Sequence, residues 1–159
     1  MLKAEIVNPF LKAALSFLEE HLNMEVTRGQ LRLDSSKCTS GEINVAIGVT
    51  GDAEGTVLYS MSERTAKSIA AILIGEPVPV FDALAESAIA EMGNIITGRA
   101  AFGLEEEGFR CRLTPPAIIT GRGVVISTLD IQRLVIPLEL KVGYLEISVA
   151  LRYDSLGPK

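Results

Sequence analysis

The chain has 159 residues, 48% of them hydrophobic and 22% charged, with a formal net charge of −5. One ordinary domain fits that length, and a composition so close to globular usage excludes a disordered chain. The lysines and arginines are scattered rather than gathered into a run or stripe, which argues against nucleic acid and against an acidic membrane surface as partners.

In chain order, Asn8-Pro9 reads as a helix start, with Asn as the cap and Pro at the first helical position. Phe10, Leu11, Ala14, Leu15, Phe17, Leu18 and Leu22 then recur with helical spacing. Met24 to Leu33 alternates like one strand, and the polar stretch from Asp34 to Glu42 reads as a loop. INVAIGVT and GTVLYSM form a hairpin turned at Gly51–Gly55. Ser62 caps a second helix that Gly75-Glu76-Pro77 ends. The longest helical pattern runs from about Phe81 to Glu107, with Asp82 near its start and Gly108 closing it. After Pro115-Pro116, Ala117–Thr120 and Gly123–Leu129 are strand-like, and Leu134–Leu140 with Tyr144–Leu151 make a second long hairpin. Both halves thus run from helix to strands to long hairpin. Residue-level similarity is too weak to decide whether that order records a duplication.

The opening MLKAEIVNPF lacks the apolar core of a signal peptide, and no apolar run approaches the roughly 20 residues that span a bilayer. The expectation is a soluble cytoplasmic protein. Cys38 and Cys111 lie in no CxxC pair and near no histidine, so both are expected as reduced thiols. His21 is alone and supports no metal site. Glu105-Glu106-Glu107 reads as a solvated run, and Gly121-Arg122-Gly123 lacks the lysine and setting of a phosphate loop.

On a wheel of about 100° per residue, Leu84, Ala88, Ile89, Met92, Ile95, Ile96 and Phe102 fall in one apolar arc, the expected core face of the long helix. Ser87, Glu91, Asn94 and Gly98 fall in a narrower arc beside it, with Ala83, Ala90 and Ala101 expected on the side away from the core. A carboxylate and a carboxamide then project from one strip bordered by small residues, which suits two polar groups entering a macromolecular partner. The same spacing is commonly plain solvated surface.

Over nearly its whole length the chain resembles the CheX branch of the CheC/CheX/FliY chemotaxis phosphatases. The resemblance is carried by Asn8-Pro9-Phe10, IGVTGDAEGTVLYSM, Gly75-Glu76-Pro77, ESAIAEMGNIITGRAA, Thr114-Pro115-Pro116, GRGVVIS and VIPLELKVGYLEISVAL. The family signature is Asp or Ser, three residues, Glu, two residues, Asn, and it reads here as Ser87, Glu91 and Asn94. The resemblance implies an α+β, CheC-like two-layer fold. Long helices pack on an antiparallel sheet built from two pseudo-repeated helix–strand units, in a single domain over residues 1–159.

It further implies hydrolysis of the aspartyl-phosphate on a phosphorylated CheY-like response regulator, with Asn94 orienting the attacking water and Glu91 pairing with the receiver's lysine. Ser87 and Gly98 would border the docking face. No cofactor is expected on this chain, with Mg2+ expected on the receiver, and a homodimer is implied. Val45-Ala46-Ile47 and Val124-Val125-Ile126 are apolar material for its sheet edge. The alternative is a non-catalytic receiver-binding or scaffold module of a signalling or flagellar assembly. A second ExxN, Glu5 to Asn8, is set aside: with Asn8 as a cap, Glu5 would precede the helix and the two would share no face. One active site per chain is expected.

Overall fold

The computed structural model describes residues 4–35, 37–39, 41–127 and 131–153, with the side chains of 37–39 excepted. The thiol of Cys38 therefore lies outside the described residues, while that of Cys111 is free. Among the described residues three helices, α1 (Ala4–Leu22), α2 (Glu63–Ile74) and α3 (Ala83–Glu106), accompany ten strands. These are β1 (Val26–Arg28), β2 (Arg32–Asp34), β3 (Lys37–Thr39), β4 (Ile43–Gly51), β5 (Ala53–Met61), β6 (Cys111–Leu113), β7 (Ala117–Thr120), β8 (Val125–Ser127), β9 (Arg133–Leu140) and β10 (Gly143–Tyr153).

Eight strands form one sheet in the order β1-β9-β10-β5-β4-β6, with β2 also against β9 and β7 also against β4. All pairings are antiparallel, and β3 pairs with β8 in a separate ribbon. This order is unchanged when β1 to β5 are exchanged with β6 to β10. The helix–strand units of the two halves are therefore related by a pseudo-two-fold axis between β5 and β10, whose pairing sets Val57 opposite Val149. Each half lends its outer strands to the other half's hairpin, which makes the halves mutually dependent. One continuous core joins α1, α2 and α3 to Val45, Ile47, Val57, Tyr59, Ile136, Ile147 and Val149. The alternate residues Leu58, Val135 and Ala150 are buried as well, so the central strands are covered on both faces.

Local chemistry explains most boundaries. Ser62 accepts from the Thr65 backbone N–H at 3.1 Å, and Gly75 ends α2 at φ 85°, a left-handed conformation that favours glycine. Pro137 explains why Met24–Leu33 is not one strand. Its carbonyl accepts from Gly29 N–H at 2.8 Å. In an antiparallel strand the N–H of a residue faces the same neighbour as its carbonyl, so the N–H that proline lacks is missing on that side. The neighbouring chain breaks into β1 and β2 at this point. A Cβ on Gly29 would stand 2.9 Å from the proline ring.

Three expectations need correction. Helix α1 begins by Ala4, so Asn8 is not a cap and Pro9 lies inside the helix. Ile6 and Phe10, one turn apart, are 0% and 1% exposed. Burying a side chain such as Ile6 stabilises by about 2 kcal/mol, enough to offset much of the roughly 3 kcal/mol that an interior proline costs. Val45-Ala46-Ile47 is no edge: β4 is flanked by β5 and β7. The polar stretch after Asp34 contains β3, which β8 pairs from far along the chain. Among the described residues no helix is long and apolar enough to cross a membrane.

Candidate active site

Asp82 caps α3, its Oδ1 accepting from Ala85 N–H at 2.9 Å. The buried face of α3 is made largely of small groups, Ala85, Gly93, Thr97 and Ala100, with Ile89, Met92, Ile96 and Leu104 among them. Small residues let the helix lie close on the sheet. A Cβ on Gly93 would already stand 3.0 Å from Val45 Cγ1 and 3.3 Å from Tyr59 Cδ2. A buried polar chain fixes the same turn. Thr97 Oγ1 donates to the Gly93 carbonyl at 2.7 Å, so Tyr59 O–H donates to Thr97 Oγ1 at 2.6 Å. Burial pushes the Tyr59 phenol far above its ordinary range, more than the Thr97 contact lowers it, and keeps it a donor. Tyr59→Phe removes that donor and is expected to cost about 1 kcal/mol. Thermal unfolding should show a fall of roughly 2–4 °C.

This anchoring faces the expected site residues outward. Ser87 and Glu91 are exposed, and Asn94 and Gly98 are half-buried. A Cβ on Gly98 would meet nothing within 4 Å, so the helix backbone is open there. Neither the Glu91 carboxylate nor the Asn94 amide is engaged by another described residue. Their Cα atoms are separated by only about 4.5 Å along the helix axis, at about 1.5 Å per residue.

The rest of the wheel turns out rotated. Leu84 and Phe102 are 59% and 67% exposed, so they belong to the outer face with Glu91 and not to the core. Ala88 and Ile95 are half-buried at its margin. Ala90 and Ala101 are half-buried between the strip and the buried Thr97 side, toward the core and not away from it, while Ala83 is exposed as expected. Tyr59 and Thr97 carried no sequence signal, since their hydroxyls are recognised as polar anchors only once strand and helix are in contact.

Glu5 and Asn8 also contradict the sequence argument, because both are helical, exposed and spaced i,i+3 on α1. The offset that carries Glu5 onto Glu91 carries Asn8 onto Asn94 and, within a residue, β1 onto β6 and β2 onto β7. The two pairs are therefore pseudo-symmetric positions. Their surroundings differ: Glu5 and Asn8 line a groove between α1 and α3 with Lys12, Arg99, Phe102 and Glu106. Arg99 spans this junction, 3.3 Å from Glu20 on α1 and 5.7 Å above the Phe17 ring. His21 stacks on Phe17 at 4.5 Å. Among the described residues no group of three or more His, Cys, Asp or Glu could hold a metal ion.

The family model described as "Chemotaxis phosphatase CheX" matches residues 43–139, a span that includes all of α3. A "CheY-P phosphatase CheX" from Thermotoga maritima is 33% identical over 129 residues, 80% of this chain and 83% of that protein. Among solved structures, the CheX-CheY-BeF3-Mg+2 complex from Borrelia burgdorferi contains a chain 30% identical at a TM-score of 0.82, covering 94% of this chain and 99% of that one. A chemotaxis protein CheX from Desulfovibrio desulfuricans superposes with a TM-score of 0.85 at 23% identity over 93% of this chain and 99% of that one, a likeness of fold. With the family model and the Thermotoga relative in agreement, the chain belongs to the CheX family of chemotaxis phosphatases.

Proposed function

We propose that this chain hydrolyses the aspartyl-phosphate of a phosphorylated CheY-like receiver through Asn94 and Glu91. The observation that carries the reading is the pair itself: a carboxamide and a carboxylate on the outer face of α3, unengaged by any other described residue, beside the open backbone at Gly98. The Thermotoga relative is named a CheY-P phosphatase, and the Borrelia CheX is solved with CheY, BeF3 and Mg2+. Both names agree with it.

In this mechanism α3 enters the receiver's phosphorylation site. The Asn94 amide accepts from and donates to a water, which it holds in line with the phosphorus and the leaving carboxylate oxygen. Water oxygen bonds to phosphorus, the P–O bond to the aspartyl oxygen breaks, and inorganic phosphate and a free carboxylate leave. Asn94 accepts no proton at neutral pH, so its contribution is orientation. Mg2+ on the receiver neutralises the developing charge. Glu91 would repel the phosphate if it faced it. It engages the receiver's lysine instead, setting register more than affinity. Ser87 and Gly98 permit the close approach.

The reading includes one domain over residues 1–159, supported by the single continuous core, and a cytoplasmic homodimer. With β4 interior, the outer strands β1, β2, β6 and β7 are the main-sheet edges left for a dimer contact.

The test is to phosphorylate CheY-like receivers with acetyl phosphate and follow phosphate loss with and without the chain. Accelerated loss is expected. A receiver that binds without any change in phosphate lifetime would establish the non-catalytic docking alternative. One centre per chain is expected, because Glu5 and Asn8 share their groove with Lys12 and Arg99 of the same chain. The double variant Glu5→Ala, Asn8→Ala should keep turnover within about twofold, as substitutions away from a reacting centre do. A large loss would assign α1 a second site.

A further inference from the structure

We propose that Leu84 and Phe102 are the apolar anchors that hold the receiver domain on either side of the Glu91–Asn94 centre. This rests on the function proposed above and extends it from the reacting pair to the surface that binds the substrate protein.

Among the described residues the large apolar side chains most open to solvent are Leu33, Ile72, Val80, Leu84, Phe102, Val125 and Tyr144. Two of these lie on α3, and both lie on the bearing of Glu91. Leu84 precedes Glu91 by two helical turns and Phe102 follows it by three. At about 100° per residue both stand within roughly 20° of its direction. The outer line of α3 therefore reads Leu84, Ser87, Glu91, Asn94, Gly98, Phe102: apolar at both ends, polar at the centre, with bare backbone at Gly98 between Asn94 and Phe102. Val80, 66% exposed, precedes the Asp82 cap by two residues.

The fold gains little from either residue. With two-thirds of its surface free, Phe102 has little left to pack against its own chain. Catalysis, in contrast, has a use for both. A charge pair between Glu91 and a lysine contributes register and specificity but little net affinity. Asn94 touches only a water and the reacting group. Affinity for a whole protein substrate must then come from apolar area away from the chemistry, where it is the same in ground state and transition state. Exposed aromatic and leucine side chains at the two ends of the strip supply that area. The stripe from Leu84 to Phe102 is about 27 Å long, comparable to the breadth of a domain of roughly 100 residues. The matching partner surface has two apolar patches, about 15 Å and about 12 Å from its phosphorylated aspartate along the groove that takes α3.

The test uses full-length protein and a receiver whose phosphate is lost faster in its presence. Equilibrium binding is measured to that receiver charged with beryllofluoride and Mg2+, and kcat and KM are measured with the phosphorylated form. Leu84→Ala and Phe102→Ala leave the core intact and should each raise Kd and KM about tenfold while kcat at saturation stays within twofold. Asn94→Ala is the internal control and should do the reverse. Unchanged Kd in both anchor variants, with Asn94→Ala inactive, overturns the anchors and leaves the catalytic reading intact. Full activity of Asn94→Ala overturns the catalytic reading itself. Loss of self-association on sedimentation in Phe102→Ala, with receiver affinity unchanged, would assign this face to a second copy of the chain and likewise overturn the proposal.

Discussion

Asn94→Ala is expected to lower the saturated rate of receiver dephosphorylation by about 100-fold or more, the scale seen when a positioned group is removed from a reacting centre. The substitution is mild for the fold. Asn94 is half-buried on the outer face, engages no other described side chain, and is replaced by the best helix former. Loss of rate would therefore report chemistry and not unfolding, and an unchanged melting temperature is the control. Binding to the beryllofluoride form of the receiver should stay within about threefold, because an orienting amide contributes nothing until a water and a phosphoryl group are both present. Glu91→Ala should divide the other way. Its partner is a cation of the receiver, and although the intact pair contributes little net affinity, losing one member leaves the other unpaired in the interface, which raises KM by about tenfold and lowers saturated turnover much less. If Asn94→Ala weakened binding as much as rate, the amide would be a docking contact and the assignment of water to it would be wrong.

The helix that carries these residues was legible in outline. Asp82 and Gly108 mark its ends, and Ile89, Met92 and Ile96 are buried as their spacing implies. Its orientation about its own axis was not. Hydrophobicity points to Leu84 and Phe102, but the helix is buried over Ala85, Gly93, Thr97 and Ala100, which carry little hydrophobic signal and are chosen for size. Leu84 and Phe102 pull a wheel toward the very face that is left open. The start of α1 departs from its local signal for a different reason. Asn-Pro is a sound local cap signal, and it was overridden by burial of Ile6 one turn earlier, a tertiary effect. The same early start makes Glu5 and Asn8 a helical pair, which a cap at Asn8 would exclude. The break between β1 and β2 depends on Pro137, more than a hundred residues further along the chain. Pairing of β3 with β8 likewise needs a partner that no local pattern names. In each case the missing information was the identity of the neighbour.

Gly93→Leu is expected to reduce both stability and activity severely, and the reason lies in what surrounds that position. Even a methyl group there would stand 3.0 Å from Val45 Cγ1 and 3.3 Å from Tyr59 Cδ2. Gly93→Ala thus sets a tight contact against the roughly 1 kcal/mol that alanine gains over glycine within a helix, and a melting temperature close to wild type is expected. Leucine adds three more carbons on the same side. Val45 and Tyr59 are 0% exposed and lie on β4 and β5, each paired on both flanks, so the sheet cannot retreat. The helix must lift or tip instead. Overpacking of this kind costs about 3 kcal/mol, which corresponds to roughly 6–12 °C in melting temperature for a domain of this size. Lifting α3 also pulls Thr97 away from Tyr59, breaking the 2.6 Å contact that fixes the turn between Glu91 and Asn94. A displacement of about 1 Å at a positioned group can cost 100-fold in rate, so turnover should be lost even below the melting transition. A Gly93→Leu protein that melts and turns over like wild type would show that the sheet does not hold α3 at Gly93. Loss of both, with Gly93→Ala nearly silent, ties the reach of Asn94 to the absence of one side chain on the buried face of its helix.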